Sequence, residues 1–208
     1  MNEGLLQQYA EVVGEPAVEH LRRLAEPLEG LRVVHVNSTR DGGGVAEILQ
    51  KLIPLKQALG IGVRWEVIPG NPEFFRCTKA MHNALQGNRI EIPERLLQVY
   101  DDVNAECAAS MRSTFEDADV VIVHDPQPAG LRRHFDGRAR WVWRCHIDVS
   151  RPYLRVWRFL RSKVAGYDAS IFHLPDFSQR LPHPQFRIPP GIDRLSDKNF
   201  DLSDEEIA

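Results

Sequence analysis

Residues 33–49, reading VVHVNSTRDGGGVAEIL, constrain this chain more than any other stretch. Val33, Val34 and Val36 are β-branched and suit a buried strand, residues 37–41 are turn formers, and Gly42, Gly43 and Gly44 follow without interruption. Val45, Ile48, Leu49 and Leu52 then recur at i, i+3, i+4 and i+7, which is one apolar face of a helix. A strand, a glycine turn and a helix in this order set bare backbone N–H groups at a helix N-terminus beside the carboxyl end of a strand. An anion is held well there, because the unpaired N–H groups and the positive end of the helix dipole both point at it. Glycine also lets a phosphate or a sugar reach the backbone without meeting a Cβ. The same residues equally suit a turn that only lets the helix pack closely on the sheet, and on this stretch alone both readings stand.

Two regular nucleotide patterns fail here. A dinucleotide fingerprint needs a further glycine where Glu47 stands, which disfavours a nicotinamide-dependent oxidoreductase, and no Gly-Lys-Ser/Thr end is present for a Walker A loop. A nucleotide-sugar site needs neither pattern. The chain of 208 residues is long enough for one large domain with its own core, and its net charge of −3 offers no global basic field for nucleic acid. Arginines do cluster over residues 132–161 among Trp141, Trp143, Tyr153 and Trp157. That pattern reads more simply as a solvated basic face over an aromatic core face than as a stacking platform for bases. Cys77, Cys107 and Cys145 are odd in number and widely spaced, which fits a reducing cytoplasm better than a disulfide framework or a zinc site. No apolar run approaches membrane-spanning length, so no membrane partner is expected.

Taken in order, residues 1–30 predict an outer helical arm, broken at Gly14–Glu15–Pro16 and closed by Gly30. The helix that begins in the glycine turn runs to about Leu59, and Pro54 inside it predicts a kink. A second strand is expected over 63–68, a short helix over 73–88 with Phe74, Phe75, Met81 and Leu85 inward, and a longer helix from Pro93 to about Arg112. A third strand over 119–124 (DVVIVH) is apolar enough to be buried on both faces. Further strands follow over 140–145 (RWVWRC) and 169–173 (ASIFH), with a helix over 152–165 between them and a sixth strand over 186–188. Residues 194–208 are acidic and read as a linker. Strands alternating with helices predict an α/β domain over 31–193, a Rossmann-like parallel sheet with helices on both faces.

In such sheets ligands bind beyond the carboxyl ends of the strands. Polar residues recur in that place: Asn37, Ser38, Gly43 and Gly44 after the first strand, His124, Asp125 and Gln127 after the third, Arg144, His146 and Asp148 after the fourth, and His173 at the end of the fifth. Asp125 and Gln127 lie in a Pro-stiffened turn and suit sugar hydroxyls, although Asp-Pro also suits a helix N-cap. His146 is a candidate to bond a sugar hydroxyl or carry a proton, against the plainer reading of a satisfied core histidine. Arg144 suits a phosphate if its strand position faces the rim. There is no HExxH, no GxSxG, no paired Cys/His ligand set and no spaced carboxylate dyad, so no protein-held metal or resident cofactor is expected.

Together, the stretch from Asn37 through the glycines, residues 78–87 (TKAMHNALQG), VHDPQP, WRCHID and FHLP resemble the N-terminal half of retaining glycosyltransferases of the trehalose synthase group. Trehalose phosphorylases share much of the pattern. The resemblance spans about residues 31–193 and implies one half of a glycosyltransferase B-type fold, in which two facing Rossmann-like domains enclose a cleft. It implies transfer of glucose from a nucleoside-diphosphate glucose to glucose, giving trehalose, with Mg²⁺ entering only as a companion of the nucleotide sugar. By the same resemblance, Gly43 and Gly44 approach the donor's phosphate and glucose, and His146 lies against the transferred glucose. Asp125 and Gln127 hold the acceptor, with His82 and Asn83 lining the same pocket. The family's nucleotide domain follows a segment that here reads IPPGID, and this sequence ends a few residues later. The expectation is therefore a half enzyme, weakly active or inactive alone, with a homodimer compatible. The alternatives are a truncated sugar- or partner-binding domain without catalysis, and a trehalose phosphorylase.

Overall fold

The β-branched runs become six strands in the computed structural model, which describes residues 3–196: β1 (Arg32–Asn37), β2 (Gly62–Val67), β3 (Val120–His124), β4 (Arg140–Arg144), β5 (Ala169–Phe172) and β6 (Gln185–Arg187). All neighbours are parallel and the order is β2-β1-β3-β4-β5-β6, so the chain steps outward from β1 to β2 and then crosses back past β1 to add the other strands in sequence. The helices are α1 (Glu3–Val13), α2 (Glu15–Ala25), α3 (Gly44–Ala58), α4 (Pro72–Leu85), α5 (Glu94–Ser110), α6 (Arg112–Glu116) and α7 (Leu154–Val164). Element ends fall within a few residues of the sequence reading. The fourth strand stops at Arg144 and the fifth at Phe172, so Cys145, His146 and His173 stand just beyond their strands. The assignment of α3 continues without interruption through Pro54, which is exposed. The acidic tail expected from residue 194 lies outside the described residues from 197 onward.

Helices cover both faces of the sheet. On one face Val34, Val36, Val121, Val123, Trp141, Trp143 and Phe172 pack with Phe74, Met81 and Leu85 of α4, Tyr100 of α5 and Leu160 of α7. Phe115 of α6 stands edge-on to Trp141 with ring centroids 5.1 Å apart. On the opposite face Val33 and Val63 meet Leu49 and Ile53 of α3, the apolar stripe expected from the sequence. The arm packs there too, through Leu6, Ala10 and Val18 against Ala58. Strand β3 is less evenly buried than its composition suggested: Val121 and Val123 are sealed, while Val120 and Ile122 are half-buried beside α3. Phe75 is 42 % exposed rather than inward, because the Asn71 side chain caps α4 at the Phe74 N–H and that phase turns Phe74 into the core. The basic stretch behaves as a solvated face, with Arg155, Arg158 and Arg161 of α7 exposed and Val156, Trp157 and Leu160 buried. Cys77, Cys107 and Cys145 are free and buried. Among the described residues no helix is long and apolar enough to cross a membrane.

Candidate functional site

The turn after β1 is held from its own residues. Asn37 is buried; its Oδ1 accepts the Trp65 Nε1–H at 2.9 Å and its Nδ2 donates to the Thr39 carbonyl at 2.7 Å. Both ends of that amide are therefore engaged in shaping the loop. Arg40 lies over the Trp65 ring, 4.3 Å from its centroid, and Gln50 of α3 reaches back to the Arg40 carbonyl at 3.2 Å. Ser38 is half-buried at the start of the turn. Gly42 and Gly43 then take φ of 74° and 89°, the left-handed region where glycine costs least. Gly43 is the N-cap of α3 and carries no side chain to cap the helix, so no side chain takes the first-turn N–H groups as a cap. A Cβ built on Gly42, Gly43 or Gly44 would meet nothing within 4 Å. Close packing of helix on sheet is thus not what requires these glycines, and Gly44, with an ordinary helical backbone, is required by nothing else in the described fold.

Beside this turn the sheet carries a row of histidines on the face that α3 covers. His35 of β1 points its Nδ1 at Nε2 of His124, 2.8 Å away at the end of β3. His124 Nδ1 lies 2.9 Å from His146 Nε2, and His146 Nδ1 lies 3.3 Å from His173 Nε2. Lys56 of α3 closes the inner end, with Nζ 3.0 Å from His35 Nε2. Strand registry explains the row: His35 pairs with Ile122, His124 pairs with Arg144, and each next histidine stands on the same face toward the carboxyl ends. Burial pushes the His35 and His124 rings well below the usual histidine range, and it takes His146 down to about 3, with Arg144 and His173 adding to the effect.

Asp125 adjoins His146. It holds a left-handed backbone with φ of 62°, an unusual conformation that aspartate tolerates better than most residues. Its Oδ1 accepts the His146 backbone N–H at 2.7 Å, and its carbonyl accepts the Trp143 Nε1–H at 3.0 Å. It does not cap a helix, since the next helical turn begins at Leu131 with Gly130 as its cap. Burial pushes its carboxyl up to about 7, opposed by the His146 N–H and the charge of Arg144. Pro126 and Gln127 are fastened from beneath, their carbonyls accepting from the Tyr100 hydroxyl and the Asn104 amide. Arg144 does face the histidine row; its guanidinium, half-buried, donates to the Ile188 carbonyl at 3.3 Å.

The expected residues therefore divide. Asp125, His146 and Arg144 form one polar cluster, and Asn37, Ser38, Gly43 and Gly44 form one turn. His82 and Asn83 are adjacent on α4 and diverge by a helical step. Asn83 lines a hollow of about 470 Å³ with Phe75, Arg76, Lys79, Ala80 and Ile90, none of which belongs to either group, and His82 is not among its walls. Another hollow, of about 410 Å³, lies at the opposite ends of the strands around Arg32, Gly62 and Ala118. Sequence reasoning missed His35 and Lys56. A histidine inside a β-branched run, two registers behind the histidine that ends a neighbouring strand, was the signal for His35; Lys56 left none.

Residues 35–179 match the family model described as trehalose synthase, N-terminal domain. The chain is 47 % identical over 208 residues to the trehalose synthase of Pyrococcus horikoshii, covering 97 % of this chain and 49 % of that protein. It is 45 % identical over 205 residues to the trehalose synthase of Thermococcus litoralis, with the same shares covered. Similarity to the trehalose phosphorylase of Pleurotus pulmonarius is 31 % over 191 residues, 81 % of this chain and 26 % of that one. The chain spans about half the length of the trehalose synthases it matches. Its fold is that of one half of a solved trehalose-6-phosphate structure from E. coli bound with UDP-2-fluoro glucose, at a TM-score of 0.58 and 15 % identity over 78 % of this chain and 49 % of that one.

Proposed function

The chain belongs to the family of trehalose synthase N-terminal domains, and from that premise we propose that it forms the acceptor-side half of a retaining glycosyltransferase that moves glucose from a nucleoside-diphosphate glucose to glucose, giving trehalose. The observation that carries this reading is the glycine turn: a helix start on α3 that no side chain caps, with open space before Gly43 and Gly44. Donor phosphate and glucose take that space, and Arg144, with N–H groups left over from its bond to Ile188, adds positive charge nearby. His146 lies against the transferred glucose, its ring held between His124 and His173. Asp125 fixes His146 through the backbone and, with Gln127, meets the acceptor. Transfer then proceeds at the front face, through an oxocarbenium-like sugar stabilised by the leaving diphosphate.

The test is release of nucleoside diphosphate from nucleotide-glucose on addition of glucose, by this chain alone and by this chain joined to the C-terminal half of one of its relatives. The joined protein should turn over, and the chain alone should bind a nucleoside diphosphate more weakly than micromolar. In the joined protein His146→Ala should lose some stability, because the buried His124 Nδ1 is left without its partner, and should lose a hundredfold or more in rate per folded molecule, on the order of what an interaction made mainly in the transition state supplies. A variant that melts early but keeps its turnover per folded molecule would retire His146 from this role. Trehalose formation dependent on glucose 1-phosphate, with no use of nucleotide-glucose, would favour the phosphorylase reading instead.

A further inference from the structure

We infer that Lys56 is a positioning residue: its ammonium, at the buried end of the histidine row, fixes all four rings as one tautomer, so that the row ends at the rim in a hydrogen-bond donor to a ligand oxygen. An ammonium has three N–H groups and no lone pair, so His35 Nε2, 3.0 Å from Lys56 Nζ, must accept. A neutral ring that accepts at Nε2 carries its proton on Nδ1, and His35 therefore donates to His124 Nε2 at 2.8 Å. The same necessity passes to His146 at 2.9 Å and to His173 at 3.3 Å. His173, half-buried at the rim, accepts at Nε2 and is left with its Nδ1–H to offer.

Two features keep the row in one tautomer from end to end. The rings stay neutral, because burial and the cations Lys56 and Arg144 disfavour a charged imidazole on His35 and His124. Lys56 stays charged at neutral pH, although burial and Arg144 bring it down to about 8. Without the ammonium the row could run either way. Reversed, His173 would donate inward from Nε2 and present a bare Nδ1 lone pair at the rim, which a phosphate oxygen cannot pair with. Lys56 is also on the helix whose other end is the glycine turn, so α3 sets both the N–H groups of its first turn and the polarity of the histidines.

The inference rests on the rim being the sugar and phosphate site, yet its first test needs no ligand. In the chain labelled with ¹⁵N at histidine, long-range ¹H–¹⁵N correlation identifies the protonated nitrogen of each ring. His35, His124, His146 and His173 should all be Nδ1–H. Lys56→Arg, still donor-only, should keep them so, whereas Lys56→Met should raise the Nε2–H form of His173 about tenfold or more, the loss of one charge-assisted bond. An Nε2–H form dominating on His146 or His173 of the unaltered chain, or tautomers unmoved in Lys56→Met, overturns the proposal. In the joined two-half protein, Lys56→Met should lower turnover about tenfold and Lys56→Arg restore most of it; turnover unmoved while the tautomers change also overturns it. If the joined protein transfers no glucose, the glycosyltransfer reading fails, and the tautomers still decide the role of Lys56.

Discussion

On one face of the sheet Val34, Val36, Val121, Val123, Trp141 and Trp143 are sealed beneath α4, α5 and α7. In the alternate positions of the same strands stand His35, Asn37, His124 and Arg144, with His146 and His173 beyond the strand ends. A strand of period two thus carries two messages, and here they serve opposite ends. The dry face stabilises by area and packing alone and is indifferent to pH. The polar face buries imidazoles whose polar atoms would each be costly unpaired, and it tolerates them because each ring satisfies the next. The polar face is stable in one protonation state only.

The comparison can be broken most severely on the dry side. Trp141→Ala should cost about 3–5 kcal/mol, read from denaturant midpoints, because a large fully buried ring is lost from contact with Phe115, Phe135 and Tyr167. Trp141→Phe should cost clearly less, since the Trp141 Nε1–H makes no hydrogen bond among the described residues. That loss should be the same at pH 7.5 and 5.5.

Acid should act on the other face. His35, His124 and His146 are held below their ordinary range in the fold, so below about pH 6.5 the unfolded chain binds more protons than the folded one. Their contribution is fully present above that pH and fades as the pH falls, by about 1.4 kcal/mol per pH unit for each ring. Between pH 7.5 and 5.5 the three rings together should withdraw about 4 kcal/mol, offset by about 2 kcal/mol from Asp125, whose carboxyl, pushed up to about 7 by burial, takes its proton in the fold first. Urea denaturation should therefore show a net loss of about 2 kcal/mol, and a gain in stability toward pH 5.5 would mean that the rings are charged or exposed. The smallest effect sharpens the contrast between folding and binding. Gly44→Ala should raise stability by about 0.5 kcal/mol, since alanine is the better helix former and its Cβ meets nothing. The same change should weaken ligand binding in the joined protein. A gain in both would remove the glycine turn from the site.

Much of this was legible beforehand, for identifiable reasons. Six strands, their alternation with helices and the polar rim follow from β-branched runs, glycine turns and residues just past strand ends. Phe75 differs from the sequence reading because residue type alone does not fix which of two adjacent phenylalanines faces the core, and the Asn71 cap sets the phase that buries Phe74. His35 and Lys56 were hidden for a different reason. A histidine in a buried strand resembles any satisfied core histidine, and a lysine in the last turn of a helix resembles an ordinary partner of the dipole. Their contact exists only after β1 and α3 have packed.

The strand order also says something about time. A ribosome delivers β1 first and β2 next, and these two pair with each other. Thereafter β3 adds to the free side of β1, β4 to β3, β5 to β4 and β6 to β5. Each strand leaving the ribosome finds its neighbour already made, and none has to be inserted between two that are already joined. At every stage the growing side of the nascent sheet is occupied next by the segment synthesised next, which shortens the interval in which an open strand could capture another chain. The contacts of Asp193 run against this order, among them its ion pair with Lys51. The Tyr9 hydroxyl donates to Asp193 at 2.8 Å, so a residue among the first to emerge waits for one of the last described.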